Sequence, residues 1–325
     1  AKMAAFTGAE DALIAQSGWC ANTGLLQSVA GEGTYVYIDM LAHMSLWEGI
    51  VSAGAIPKAF RHNDPEHLQK LIKRHGPGII VVDSVYSTNG DVCPLADIVN
   101  IGHESGCLMI VDESHSLGTH GMCGEGMIAS MGLSDKVQFR TASLAKAFCG
   151  RGGIILCSSR HKEYLMCESR PSIFSSAVLP HDLAGFSATL DVIRNESARR
   201  AKLQRNADYL REHLRALGYN VETSKSQIIA LESGSEQQTI VLRDALEKRN
   251  IFGAIFCAPA TPKNRALMRI SVNALLTQEQ LDHIVHACAQ MRTEVNMYEW
   301  HSTKRLARHK KVTRVNSFEK IVENV

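Results

Sequence analysis

Two runs, Gly78 to Asp83 (GIIVVD) and Cys107 to Asp112 (CLMIVD), carry unbroken apolar residues and stop on an aspartate. A strand with one wet face alternates polar and apolar residues. An unbroken apolar run this short is satisfied by a strand covered on both faces. Thr34 to Asp39, Val137 to Thr141 and Ile154 to Cys157 read as further strands. Helical patterns lie between them, near Asp64–Arg74, Leu95–Glu104 and Cys123–Met131. Buried strands alternating with helices predict an α/β fold with a mostly parallel central sheet and helices on both faces. In such sheets ligands bind beyond the carboxyl ends of the strands. Asp83 and Asp112 stand at two such ends.

The texture changes after Pro180. One long helical pattern runs from about His181 to Leu217, ended by Gly218 and Asn220. A short strand (Gln227–Leu231), a helix (Gln237–Arg249), a strand near Met268–Val272 and a helix (Thr277–Met291) follow. We expect a large domain over 1–195, a smaller α+β domain over 196–298 and a basic tail over 299–325. From Lys304 to Arg314 the tail carries six Lys/Arg and no acid, the composition of a solvated segment. The chain opens inside a helical pattern (AKMAAFTGAEDAL), so a preceding N-terminal segment is expected.

A net charge of +2 gives no footprint of a general nucleic-acid binder. The nine cysteines form no C-x-x-C pair, and most sit in apolar runs, as Cys107, Cys157 and Cys257 do. That pattern predicts reduced, buried thiols in a cytoplasmic protein, with neither a disulfide framework nor a metal site. No apolar run reaches membrane-spanning length.

The residues with chemical potential each admit a plain structural reading. Lys146 lies in TASLAKAFCGRGG, between two expected strands. It is either a surface lysine in a Gly-rich turn or a buried amine relieved of its charge by forming an imine, the way lysine holds pyridoxal phosphate (PLP). Asp112, with His115 three residues on, either caps the next segment or holds the proton on a pyridine nitrogen. Ser17 and Gly18 open a helix, whose first amides and positive end suit a phosphate as well as an ordinary cap. Trp19 either flanks a ring or packs in a core. His43, at the start of a helix, stacks on an aromatic cofactor or simply packs. Asp83, Ser84 and Ser87 lie in a strand-end loop, with a tight turn at Asn89-Gly90. Arg269 is a cation in an apolar strand, matched to a carboxylate of a substrate or of a salt bridge. Taken in order, these features make one cofactor site.

The same residues resemble the α-oxoamine synthases, fold-type I PLP enzymes that condense an amino acid with an acyl-CoA. The resemblance runs over nearly all of residues 1–292. It rests on SGWCAN, the HND at His62 to Asp64, YSTNGD, VDESHS, the S-x-x-K-A-x-G-x-x-GG loop and MRISV. QSGW, AHMSLWEG, RHGPGIIVVDS and VDESHSLGTHG with TASLAK are most similar to the quorum-sensing α-aminoketone autoinducer synthases of vibrios and their relatives. Other branches, 8-amino-7-oxononanoate synthase and 2-amino-3-ketobutyrate CoA ligase, are the alternatives, with a non-catalytic partner subunit further off.

The resemblance implies that Lys146 carries PLP and that Asp112 pairs with the pyridine nitrogen. His43 stacks on the ring, and His115 and Ser87 contact the phenolic oxygen side. Gly18, Trp19 and Ser143 hold the phosphate. Ser176 reaches the neighbouring subunit's cofactor in a homodimer, and Arg269 holds the amino-acid carboxylate. It implies acyl-CoA and a small α-amino acid or S-adenosylmethionine as substrates. The chain departs from the family at Asp83, where a glutamate is common, and at Leu275, Leu276 and Thr277 after the MRISV strand. The resemblance implies a further N-terminal segment that in the family helps close the substrate channel, and that segment is not among these residues.

Overall fold

The computed structural model describes residues 1–305. The chain divides into two units, 1–87 with 92–200, and 88–91 with 201 onward.

The first unit is built on seven strands: β1 (Asp11–Ala15), β2 (Tyr35–Asp39), β3 (Ile56–Phe60), β4 (Ile79–Asp83), β5 (Leu108–Asp112), β6 (Phe139–Ser143) and β7 (Gly153–Cys157). Their order is β1-β7-β6-β5-β4-β2-β3. The pairs from β6 through β3 are parallel, while β7 is antiparallel to both β6 and β1. The expected α/β class and mostly parallel sheet are therefore present. β4 shows why the apolar runs are unbroken. Ile79 and Val81 enter a core with Leu25, Leu46 and Ile50, while Ile80 and Val82 enter another with Leu68, Ile98 and Val99. Successive side chains point to opposite faces, and both faces are covered.

Three helices matter for the site or its flank: α1 (Lys2–Thr7), α2 (Gly18–Val29) and α3 (Met44–Ser52). The helix Pro65–His75 has local sequence causes. Asp64 caps it by accepting from His67 N at 2.8 Å, Pro65 begins it, and Lys73, Arg74 and His75 occupy its last turn.

Several expectations are corrected. β1 and β3 replace segments without an anticipated strand, and the helical start ends at Thr7. The helix near Cys123–Met131 is only Met127–Ser130. The single helix over 181–217 is two, Pro180–Asn195 and Ser197–Ala216, separated by Glu196 at φ −107°, ψ 59°. Arg200 reaches back to the carbonyls of Ile193 and Met122, so a tertiary contact occupies the first helix's C-terminal end.

The second unit carries β8 (Ile228–Gly234), β9 (Ala254–Phe256) and β10 (Ala266–Ser271), all antiparallel in the order β8-β10-β9. Helices Glu236–Glu247 and Gln278–Met291 begin with reciprocal capping boxes, Ser235 with Gln238 and Thr277 with Gln280. Segment 88–91 is tied in by Ser224 and Ser226, whose hydroxyls donate to the carbonyls of Asn89 and Gly90 at 2.9 Å. Trp300, expected within the tail, belongs to this unit's core beside Tyr219, Leu281 and Met291. The rest of the basic run, from 306, lies outside the described residues.

Four cysteines are buried: Cys93, Cys107, Cys157 and Cys288. Burial pushes the thiols of Cys157 and Cys288 up to about 11 and about 12. Cys257 is half-buried and Cys123, Cys149 and Cys167 are exposed, against the expectation of mostly buried thiols. Among the described residues no helix is long and apolar enough to cross a membrane, and no cluster suits a metal ion.

Candidate active site

The carboxyl ends of β2, β4 and β5 each finish on a buried aspartate, Asp39, Asp83 and Asp112. Asp112 accepts from Ser114 N at Oδ1 (2.8 Å) and from Asn22 Nδ2 at Oδ2 (2.7 Å). Each carboxylate oxygen thus has one donor and keeps a further lone pair. Asp83 is Asp112's register partner across β4 and β5 and accepts from His43 N at 3.3 Å. Burial, then the charge of Asp112, holds the Asp83 carboxyl well above the ordinary aspartate range. Both causes favour the protonated form of Asp83. Asp39 accepts from Leu41 N, from Asn63 N and from the His62 ring at 3.0 Å, which gives the HND segment a structural task in closing the end of β2.

α2 begins beside this row. Ser17 caps it, accepting from Cys20 N at 3.1 Å. The close approach of Gly18 to Ser143 leaves no room for a side chain, since a Cβ there would lie 2.7 Å from Ser143 Cβ. A Cβ on Gly153 would lie 2.1 Å from Ser17 O. These two glycines let the first turn of α2 press against the end of β6 and the start of β7. The amides of Gly18 and Trp19 belong to that first turn, the positive end of the helix dipole. Ser143 N donates to Ser114 Oγ at 2.8 Å, and Ser143 Oγ accepts from Ala145 N at 3.3 Å. The loop after Asp112 and the loop bearing the lysine are thereby tied together.

His43 is the N-cap of α3 and exposed. Its ring meets Trp19 edge-on, centroids 6.4 Å apart, and Trp19 is 47% exposed, so it flanks the site and is not a core residue. His115 and Ser87 are half-buried, in the turns after β5 and β4. Of the two readings left open for it, Lys146 has the exposed position within the single chain, in the turn between β6 and β7. The glycine in the lysine-loop pattern is replaced by Cys149, at φ 56° in the left-handed region. Ser176 is exposed, and its carbonyl accepts from Gln16 Nε2 at 2.6 Å. Arg269 lies in β10 of the second unit, over the Phe256 ring at 4.6 Å, with burial pulling its pKa down.

The sequence does not mark Asn22, Ser45, Thr141 or Ser114 as site residues, although Asn22 stands inside SGWCAN and Ser45 inside AHMSLWEG. No local signal distinguishes them from ordinary helix and strand polar residues.

The residues present fit a phosphorylated pyridine. Asp112's remaining lone pairs suit a ring N–H, and the first turn of α2, a helix N-terminus where phosphate is favoured, lies directly against Ser143.

A profile of the aminotransferase class I and II family matches residues 1–288. The chain is 48% identical over 289 residues to the CAI-1 autoinducer synthase of Vibrio campbellii, covering 89% of this chain and 73% of that protein. It is 32% identical over 275 residues to a putative 8-amino-7-oxononanoate synthase of Halalkalibacterium halodurans, covering 84% and 70%. Its fold is similar to a serine palmitoyltransferase structure from S. paucimobilis with bound PLP and myriocin, at a TM-score of 0.87 and 28% identity, over 90% of this chain and 75% of that one.

Proposed function

The chain belongs to the aminotransferase class I and II family, and from that membership we propose that it is a PLP-dependent acyltransferase of the α-oxoamine synthase kind, making a long-chain α-aminoketone autoinducer. The observation that supports the chemistry is the strand-end cluster of Asp112, Asn22 and His43 beside the first turn of α2. The 48% identity to the CAI-1 autoinducer synthase supports this branch over the 8-amino-7-oxononanoate synthases.

When bound, PLP supplies a protonated pyridine ring that takes up the electron pair released at the amino acid's Cα. Asp112 holds the proton on the ring nitrogen. Lys146 Nζ would hold the cofactor and would move a proton at Cα. Gly18, Trp19 and Ser143 would hold the phosphate, His43 would pack against the ring, and His115 and Ser87 would serve its phenolic oxygen. Ser176 reaches the neighbouring subunit's cofactor in a homodimer, and Arg269 orients the substrate carboxylate through a forked pair of N–H donors. The net change joins Cα of a small α-amino acid or S-adenosylmethionine to the acyl carbon of an acyl-CoA, with loss of CoA and CO₂.

Lys146→Ala is expected to abolish the visible absorbance of the lysine-bound cofactor and all turnover. A variant that keeps both overturns the assignment. Mass spectrometry of products from a panel of acyl-CoA lengths separates the branches: a long alkyl aminoketone supports this reading, and 8-amino-7-oxononanoate replaces it with the alternative. A chain that turns over amino acids without acyl-CoA is an aminotransferase or lyase instead.

A further inference from the structure

Asn22 is the hub of a buried hydrogen-bond circuit. It sits in the second turn of α2 and is 2% exposed. Its amide nitrogen donates to Asp112 Oδ2 at 2.7 Å and to Ser45 Oγ at 2.8 Å. Its Oδ1 accepts from Thr141 Oγ1 at 2.6 Å. An ionised carboxylate only accepts, so the amide must turn its nitrogen toward Asp112. Both amide hydrogens are then committed. Ser45 Oγ, having accepted one of them, keeps its own hydrogen to donate.

That hydrogen has a partner. His43 Nδ1 lies 2.8 Å from Ser45 Oγ, and it also accepts from Ser45 N at 3.3 Å where His43 caps α3. Two donors converge on Nδ1, so this nitrogen carries no hydrogen. The ring proton of neutral His43 therefore resides on Nε2. Every polar atom of the Asn22 amide is satisfied, and the circuit joins α2, α3, β5 and β6 in a low-dielectric interior where such bonds are strong.

We propose that Asn22 is a positioning residue that orients the Asp112 carboxylate and, through Ser45, holds His43 as its Nε2–H tautomer. The proposal rests on the reading of this cluster as the PLP site. Asn22 touches neither substrate nor cofactor; it acts through the two residues that do. One amide thus sets the partner of the ring nitrogen and the imidazole on the ring face together. Only Nε2 of His43 is left for proton or hydrogen-bond exchange on the substrate side.

The test uses the full chain stripped of cofactor, labelled with ¹⁵N-histidine, with His43 assigned through His43→Gln. Long-range ¹H–¹⁵N spectra of the unmutated protein are expected to show a protonated Nε2 and an unprotonated, hydrogen-bonded Nδ1. Ser45→Ala is expected to move the Nδ1 resonance while leaving PLP affinity, read by fluorescence titration, within about twofold. Asn22→Ala is expected to perturb the His43 resonances and weaken PLP binding about tenfold, the equivalent of one charge-assisted hydrogen bond. A wild-type His43 protonated at Nδ1 overturns the proposal. So does an Asn22→Ala protein with unchanged resonances and affinity. If Asn22→Ala does not fold, Ser45→Ala decides alone, and an unmoved Nδ1 resonance overturns the proposal. A wild-type chain that binds no PLP rejects the function proposed above, while the tautomer spectra still decide the circuit.

Discussion

At the scale of single residues, the strand-end acids divide into different states although they look alike in sequence. Asp83 and Asp112 both close apolar runs, yet only Asp112 receives two short hydrogen bonds to its carboxylate. Asp83 is buried beside that charge, and both burial and the charge push its carboxyl above the ordinary aspartate range. The consequence for stability has a definite sign. Above the ordinary aspartate value of 3.8, the folded chain binds a proton at Asp83 that the unfolded chain has released. Stability is therefore lost as pH rises from there toward the folded-state pKa. Asp83→Asn removes the ionisation and keeps the shape. In urea unfolding of the apo-protein between about pH 5 and pH 8, the variant is expected to gain on the wild type as pH rises. A stability difference that stays constant across that range refutes the upward shift at Asp83. Asp112 was legible because a strand end is where an α/β sheet binds ligands. The state of Asp83 was not, because it depends on a neighbour in another strand.

At the scale of elements, the first turn of α2 and the start of β7 are held in backbone contact. Gly153→Ala would set a Cβ 2.1 Å from Ser17 O and 2.7 Å from Gly18 N, and backbone cannot swing aside as a side chain can. The expected cost is about 1–3 kcal/mol of stability, with weaker PLP binding as the helix end is displaced. Thermal unfolding and a PLP titration measure the two effects, and an alanine variant that matches wild type in both removes the argument. The central strands were readable from their apolar runs. β1 and β3 were not: β1 is mostly half-buried, and β3 carries the exposed residues Ile56, Pro57 and Ala59 at the sheet edge, so neither shows an unbroken buried pattern. The break at Glu196 was equally silent, with no Gly or Pro to mark it and Arg200 acting from the next helix.

At the scale of the whole molecule, the chain carries two units with separate apolar cores. The second closes on Trp300, 1% exposed, whose ring nitrogen donates to Val295 O at 3.0 Å and whose ring meets Tyr219 edge-on. Trp300→Ala is expected to lower stability by about 3–5 kcal/mol, the usual cost of emptying such a position. Chemical denaturation followed by tyrosine fluorescence reads the loss, and a change below about 1 kcal/mol would place Trp300 outside the core. The sequence pattern assigned this tryptophan to a polar tail because its neighbours are charged; burial of one large ring among residues far away in the chain leaves no local trace.

What the amino-acid order determined by itself is the sheet of doubly covered strands, the aspartates at its ends and the glycine-flanked lysine loop. Short unbroken apolar runs rich in β-branched residues suit strands covered on both faces, and their polar end residues then fall at the sheet's rim. The tertiary structure alone decided that Asn22 joins Asp112, Thr141 and, through Ser45, His43. Those partners stand 90 and 119 positions away for Asp112 and Thr141, and a hydrogen bond across such a separation imposes no period on the sequence. It is specified only when the helix and the two strands have packed.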